Sequence, residues 1–308
     1  MTAARFPEVA RDGGHYESFY LKAAHPSEPR AVWIRYTVWK APGSEPVGSL
    51  WCTLFDASWE QPAAWKQSLP APTAGDGAFV SIGDARFGPG VVVGPHWALS
   101  FEGDEDTFPY LPRPWMYRAR VPRTKAESLY PRASFSGSVE LGGRRFDLDG
   151  WPGMIGHNWG AEHAERWIWM HGAGLDVTIG RIKVGPLTVP WVANGFVEID
   201  GRRLRVGGIE RIRSTRVNEA PDRCTFALPG ADGLVVDGEL LAPRPTLVAW
   251  VYSDPGGGQH HTVHSSIADL RLVVRKPDRE LTQLGGATYE LGMRETTHGV
   301  PVQPFSDP

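Results

Sequence analysis

Twenty residues, Gly153 to Gly172, bring together three His, three Trp and two Glu. These are side chains that can carry a proton, hold an ion or offer a π face, so the segment is where chemistry is first sought. Gly153, Gly156 and Gly160 bracket His157, Asn158 and Trp159. Glycines so placed predict a bend at which backbone and side chains approach something closely. From Glu165 to His171 the pattern alternates with a period of two. Glu165, Trp167, Trp169 and His171 share one face, and Arg166, Ile168 and Met170 share the other. The first face is polar at its ends and aromatic between them. It suits a pocket wall better than a dry core, because buried imidazole and carboxylate need partners whereas Trp supplies apolar area. A structural role would use the same residues differently, with His157 and Asn158 bonding backbone groups at the bend and the Trp residues filling a core between domains.

Metal ligation has little support from spacing. His163 and His171 lie eight residues apart, about 26 Å on a straight strand at 3.3 Å per residue, too far to share an ion. His157 with His163 across the bend is the remaining pair, and no metal site is expected. His260-His261-Thr262-Val263-His264 follows the Gly256-Gly257-Gly258 turn and reads as an exposed hairpin, with His260, Thr262 and His264 on one face. Arg202, Arg203, Arg205, Arg211, Arg213 and Arg216 form a basic run, but Glu210 interrupts it and no compact aromatic platform follows, so a solvated strand face is expected.

The elements that must position these groups are strands. Gly 36 and Pro 27 are spread as punctuation between Trp- and Val-rich runs, the pattern of many short strands. Strands are expected from Glu17–Ala23 through Ala287–Met293, with hairpin turns at Gly142-Gly143 and Asp200-Gly201, where positive φ is tolerated. Helix is limited to one turn near Trp59–Ser68. Trp33 and Trp51 lie on adjacent runs, Arg30–Lys40 and Gly48–Asp56, whose alternation would line a cavity on one side and pack on the other. An ordinary sandwich core explains the same alternation. A Pro- and Arg-rich stretch at 109–132 reads as a crossing between two β units, dividing residues 1–120 from 121–308.

Composition narrows the classes. With 32 Lys+Arg against 35 Asp+Glu the net charge is -3, against a nucleic-acid binder or a polybasic membrane protein. Cys52 and Cys224 are distant and lack a CxxC pattern, so two buried free thiols are expected. No apolar run reaches the roughly 18 residues of a spanning helix, and the first residues lack an apolar signal core, so a cytoplasmic protein without an integral membrane segment is expected. Nothing in that argument opposes peripheral membrane contact. Walker, GxSxG and GxGxxG signatures in the right context do not occur.

Several segments together carry a resemblance. Glu17-Ser18-Phe19-Tyr20, the Trp33 and Trp51 strands, Pro122-Arg123-Thr124-Lys125, Phe135-Ser136-Gly137 and above all His157-Asn158-Trp159-Gly160 resemble the AttH/hydroxyneurosporene synthase family, which is related to tocopherol cyclases and lipocalin-like pericyclases. The likeness covers most of the chain, and its specific part is HNWG with the aromatic strand that follows. It implies an all-β protein of two lipocalin-like antiparallel barrels or bent sheets, with an apolar pocket at or near their junction. It also implies hydration or cyclisation of isoprenoid or polyketide-like molecules without a cofactor. Protonation of an alkene needs an acid held in an apolar cavity, with aromatic faces to stabilise the cation. Carried over by position, His157 and Trp159 are the functional His and Trp, and Asp176 is a loose match to a downstream aspartate. Glu165 joins them as a catalytic candidate, and Asn158, His163, Trp167, Trp169, His171, Trp33 and Trp51 as ligand contacts. Gly156 stands where hydratases of the family often carry aspartate, which points to a hydrophobic substrate other than a carotenoid. A non-enzymatic carrier of such a ligand would need the same pocket but no tuned proton donor.

Overall fold

The computed structural model describes residues 4–103, 106–181, 183–184 and 187–305. Among them there is no α-helix, only five 3-10 segments of three or four residues. Among the described residues no helix is long and apolar enough to cross a membrane.

The first sheet is built from β1 (His15–Ala24), β2 (Arg30–Lys40), β3 (Val47–Asp56), β4 (Ala63–Pro70), β5 (Thr73–Gly75) and β6 (Ala78–Ile82). It continues with β7 (Ala85–Gly88), β8 (Val91–Gly94), β9 (Trp97–Gly103), β10 (Phe108–Pro109), β11 (Thr124–Leu141) and β12 (Arg144–Gly160). Their order is β4-β3-β2-β1-β12-β11-β9-β8-β7-β6-β5, with β10 beside β11. The second sheet takes β13 (Arg166–Gly172) and β14 (Leu175–Arg181), then, after a small hairpin of β15 (Lys183–Val184) and β16 (Leu187–Thr188), β17 (Val192–Ile199) and β18 (Arg202–Gly207). It ends with β19 (Arg216–Ala220), β20 (Arg223–Pro229), β21 (Val235–Leu241), β22 (Val248–Ser253), β23 (Gln259–Arg275) and β24 (Arg279–Met293). Here the order is β18-β17-β14-β13-β24-β23-β21-β20-β19, with β22 beside β23. The two layouts match. In each, the first strand pairs with the last, and the chain meanders outward from both. Two curled antiparallel sheets form half-barrels, the architecture that the resemblance implied.

The chain changes sheet between Gly160 and Arg166, downstream of the 109–132 crossing in which composition places a domain boundary. The prolines there interrupt pairing without changing sheet, because β11 pairs with β9 and β12. The crossing is a strap laid over the second sheet, where the Arg205 guanidinium donates to the carbonyls of Tyr110 and Pro109 at 2.9 and 2.7 Å. Three cores result. One fills the first sheet around Phe19, Ile34, Phe87 and Phe135. Another fills the second around Ile168, Val177 and Leu291. The third lies between the sheets, made of Tyr20, Trp33, Trp51, Trp169, Trp250 and Tyr252 with their neighbours. Period-two alternation sorts each strand between its own core and this junction. Truncating one of these buried indoles to Ala costs about 3–5 kcal/mol, so the junction holds the halves together strongly.

Several local readings differ from the sequence. The expected helical turn near Trp59–Ser68 is instead occupied by β4, which pairs with β3. Gly153–Gly160 is strand rather than bend. Its glycines serve close approach: a Cβ at Gly153 would lie 1.9 Å from the Lys22 carbonyl oxygen, and one at Gly156 2.2 Å from the Tyr20 ring. The turns at Gly142-Gly143 and Asp200-Gly201 do form, with all four residues at positive φ. Both cysteines are free and buried, and burial pushes the Cys224 thiol up to about 12.

Candidate functional site

The residues singled out in the sequence divide between two faces. His157 and Trp159 point into the first sheet's own interior, in phase with Ile155 and Trp151, while Met154 and Asn158 face the junction. Phe19 stacks on the His157 ring at 4.1 Å and 5°, and Trp159 at 4.5 Å. Nε2 lies 2.7 Å from Glu17 Oε1 and Nδ1 lies 3.1 Å from Glu127 Oε1. Burial opposes protonation of this ring, but hydrogen bonds and charge from Glu127 and Glu17 outweigh it and raise the pKa. Burial likewise opposes ionisation of Glu17, yet His15, His157 and the Arg5 backbone N–H bring its pKa down to about 2. Glu17 and Glu127, one at each ring nitrogen, thus favour the protonated form of this ring. Asn158 accepts a hydrogen bond from the Ser18 hydroxyl at 2.6 Å. Glu165 sits near the surface in an ion pair with Arg294 at 2.7 Å.

Asp176, Trp167, Trp169, His171, Trp33 and Trp51 belong to the junction wall. β13 supplies Trp167, Trp169 and His171 because its other residues, Ile168 and Met170, fill the second core. This is the face division read from the sequence. Asp176 stands opposite His171 across the β13–β14 hairpin. Its Oδ1 accepts from the Tyr110 hydroxyl at 2.5 Å and its Oδ2 from Ser128 at 2.7 Å, while the Trp169 indole N–H points at it from 3.4 Å. Burial raises the Asp176 pKa, and its three donors offset this only in part. His171 is driven the other way, down to about 3, by burial and by the Lys22 ammonium. Lys22 itself is buried, donates to the Gly286 carbonyl, and is lowered by desolvation to about 7.

A second carboxyl shares the wall. Glu290 is the cross-strand neighbour of Trp169. It accepts from the Trp167 indole at 2.9 Å and lies 3.3 Å from both the Tyr252 hydroxyl and His264 Nδ1. The other ring nitrogen of His264 lies 2.7 Å from the Ser266 hydroxyl. Burial would raise the Glu290 pKa, but His264, Arg35 and Trp167 bring it below the usual carboxylate range. Trp169 therefore lies between a carboxyl that favours its proton and a carboxylate that favours its charge. The Tyr20 ring meets Trp169 edge-on at 5.1 Å, and the Tyr20 phenol is raised by burial and by the charges of Asp176 and Glu290.

Sequence reasoning missed Tyr110, Ser128 and Glu290, named Tyr20 only within the resemblance, and set His264 on an exposed hairpin. Glu290 carried a signal, being the lone charge among residues 287–293, where the other face, Ala287, Tyr289, Leu291 and Met293, is apolar. His260 and His264 lie on one face as expected, but both are fully buried rather than on an exposed hairpin. His163 lies in the link between the sheets, stacked on Tyr16 at 3.9 Å, with Nδ1 2.7 Å from Asp254 Oδ1. Arg203 and Arg205, from the basic run, are engaged with Asp106 and with the strap.

No protein-family model matches the chain. An uncharacterised protein of Mycobacterium tuberculosis, Rv0493c, is 23% identical over 305 residues, covering 96% of this chain and 91% of that protein. Among solved structures, a protein assigned as AttH from Nitrosomonas europaea superposes with a TM-score of 0.56 at 12% identity, over 95% of this chain and 97% of its own. CghA, solved with Sch210972, gives 0.56 at 11% identity over 92% and 88%. Kievitone hydratase from Nectria haematococca gives 0.53 at 11% identity over 97% and 94%. The chain thus has the two-sheet lipocalin-like fold of these proteins, the fold implied by the AttH-like resemblance.

Proposed function

We propose that this protein is a hydratase, cyclase or isomerase that protonates a hydrophobic, isoprenoid- or polyketide-like molecule at the aromatic junction, with Asp176 as the acid. The observation that carries the reading is the divergence of two buried carboxyls on one wall, Asp176 raised and Glu290 lowered. Environments that push paired titratable groups apart separate an acid from an anion. The Asp176 O–H bond breaks, its proton adds to an alkene carbon, and a carbocation and the Asp176 carboxylate result. The Trp169 face and the Glu290 charge stabilise that cation. Water then adds and returns a proton to Asp176, or an internal double bond closes a ring and the new cation gives up a C–H proton to the Asp176 carboxylate. Tyr110 on the strap covers Asp176, so substrate entry requires the strap to shift.

In this reading His157 and Trp159 support the wall from behind, by fixing β1 against β12. The test is incubation with a panel of acyclic polyenes and prenylated phenols in D₂O, with deuterium incorporation followed by mass spectrometry. Wild-type protein should label and transform one class, and Asp176→Asn should not. A carrier would retain such a molecule without labelling it and would keep its affinity in Asp176→Asn. Labelling undiminished by Asp176→Asn would defeat the assignment.

A further inference from the structure

His163, Asp254 and His260 come together at the edge of the seam between the sheets, against Trp167 and Tyr252, the two aromatic residues that bond Glu290. His163 belongs to the inter-sheet link, Asp254 to the turn between β22 and β23, and His260 to β23 itself. Asp254 lies 91 residues beyond His163 in the chain, so spacing along one strand could not reveal the group. Each offers one donor atom, and these atoms lie within 4.8 Å of one another. The Asp254 Oδ2 to His260 Nδ1 distance is 3.6 Å, too long for a hydrogen bond.

Unmet polar groups give the second observation. Nε2 of His163 and both ring nitrogens of His260 are buried without a hydrogen-bond partner among the described residues. The His260 side chain has no exposed surface. A buried imidazole always carries at least one N–H or lone pair that needs satisfying, and leaving one unmet costs about 1–3 kcal/mol. Asp254, alone of the three, also lines a cavity of about 220 Å³ together with Arg123, Ala161, Glu162, Gly256, Gly258 and Arg294, which opens to solvent and gives a route of entry.

We propose that His163, Asp254 and His260 bind a divalent transition-metal ion of the zinc class, with its remaining coordination positions facing the cavity. Two imidazoles and one carboxylate are a common donor set for such ions, and three protein ligands leave a position open. Donors sharing a tetrahedral ion at about 2.0–2.2 Å lie about 3.3–3.6 Å apart. The widest pair of the observed group therefore closes by up to about 1.5 Å on binding. Arg294, whose Nη2 lies 3.9 Å from Asp254 Oδ2, would swing toward Glu162 and Glu165, to which it already extends. The ion would tie the link that leaves β12 to the second sheet.

Full-length protein stripped by chelation and dialysed should take up one equivalent of zinc by calorimetry. With cobalt(II) it should develop visible d–d absorption, and zinc should raise its melting temperature. Removing one ligand should weaken binding about 100-fold or more, at least the upper end of what second-shell changes cost. His260→Ala removes a buried ring, so the half-buried His163→Gln serves as the second variant should the first fail to fold. His261→Ala, on the opposite face of β23, should bind normally. No stoichiometric uptake of zinc or cobalt would overturn the proposal and leave water as the missing partner. Uptake unchanged in His163→Gln would overturn it as well.

Discussion

Nε2 of His157 lies 2.7 Å from Oε1 of Glu17, 140 residues earlier in the chain. The pair is closed from solvent and forms a charged cross-link between β1 and β12. Its linkage to folding has a definite sign. Glu17 drops from 4.5 to about 2 on folding, so its contribution is complete above pH 4.5 and is lost as pH falls toward 2. A shift of that size corresponds to about 3 kcal/mol. His157 is raised, so its contribution is complete below 6.5 and is lost as pH rises through its folded pKa. Urea melts of wild type should show an acid limb between about pH 4.5 and 2, and Glu17→Gln should flatten it while lowering stability at pH 6. An unchanged acid limb would remove the cross-link from the account.

Lys22 titrates in the opposite sense. Its pKa falls from 10.5 to about 7 on folding through desolvation alone, so the unfolded chain binds the proton more tightly and stability rises as pH climbs from 7 to 10.5. Lys22→Met keeps most of the buried stem and removes the charge. Melts across pH 6 to 10 should show that slope in the wild type and a flatter line in the variant, with the variant gaining most at pH 6.

Asp176→Asn separates catalysis from stability. The raised carboxyl favours the folded state only while protonated, and that contribution fades as pH rises from 3.8 through the folded pKa. Asn keeps the size of the carboxyl but has no acidic proton, so the variant should fold with a melting temperature within a few degrees of wild type, yet lose turnover by about 10²–10⁴-fold, the usual contribution of a positioned acid. Thermal melts beside the D₂O assay check both halves.

Gly153→Ala tests the crossing of β1 and β12. The added carbon would meet the Lys22 carbonyl oxygen at 1.9 Å and the Ala23 Cα at 2.9 Å, both backbone atoms that cannot rotate away. The cost should reach or exceed the upper end of the about 1–3 kcal/mol range for overpacking. Gly43→Ala, where nothing lies within 4 Å, provides a turn control. Its φ of +78 brings only backbone strain, about 1 kcal/mol. A urea midpoint lowered less by Gly153→Ala than by Gly43→Ala would count against the crossing geometry.

Local periodicity revealed the all-β fold and the faces of β13, because hydrophobic alternation is written in neighbouring residues. What it could not reveal was the parity of one strand against another. His157 and Trp159 are odd-numbered like Trp167 and Trp169, and within a single strand all four would share a wall. The chain changes sheet between Gly160 and Arg166, and the phase resets, so the first pair faces the first core and the second pair the junction. The Gly153, Gly156 and Gly160 spacing misled for a related reason. These glycines answer to Lys22, Tyr20 and Arg123 on neighbouring strands, which no local window contains. Glu17, Glu290, Tyr110 and Asp254 reach their partners over long separations, whereas Trp33 and Trp51 were legible as faces of adjacent strands.

The closure of each sheet by its own first and last strands has a kinetic consequence. β1 meets β12 through Tyr16 and Gly160, and β13 meets β24 through Trp167 and Gly292. On the ribosome β1 waits with an open edge until β12 follows, and β13 waits until β24 follows. Such high contact order slows folding, because loop-closure entropy is lost before the long-range pairs form. A nascent chain of this protein is therefore most prone to aggregate through the exposed edges of β1 and β13, and a chaperone would protect it best by covering those two strands.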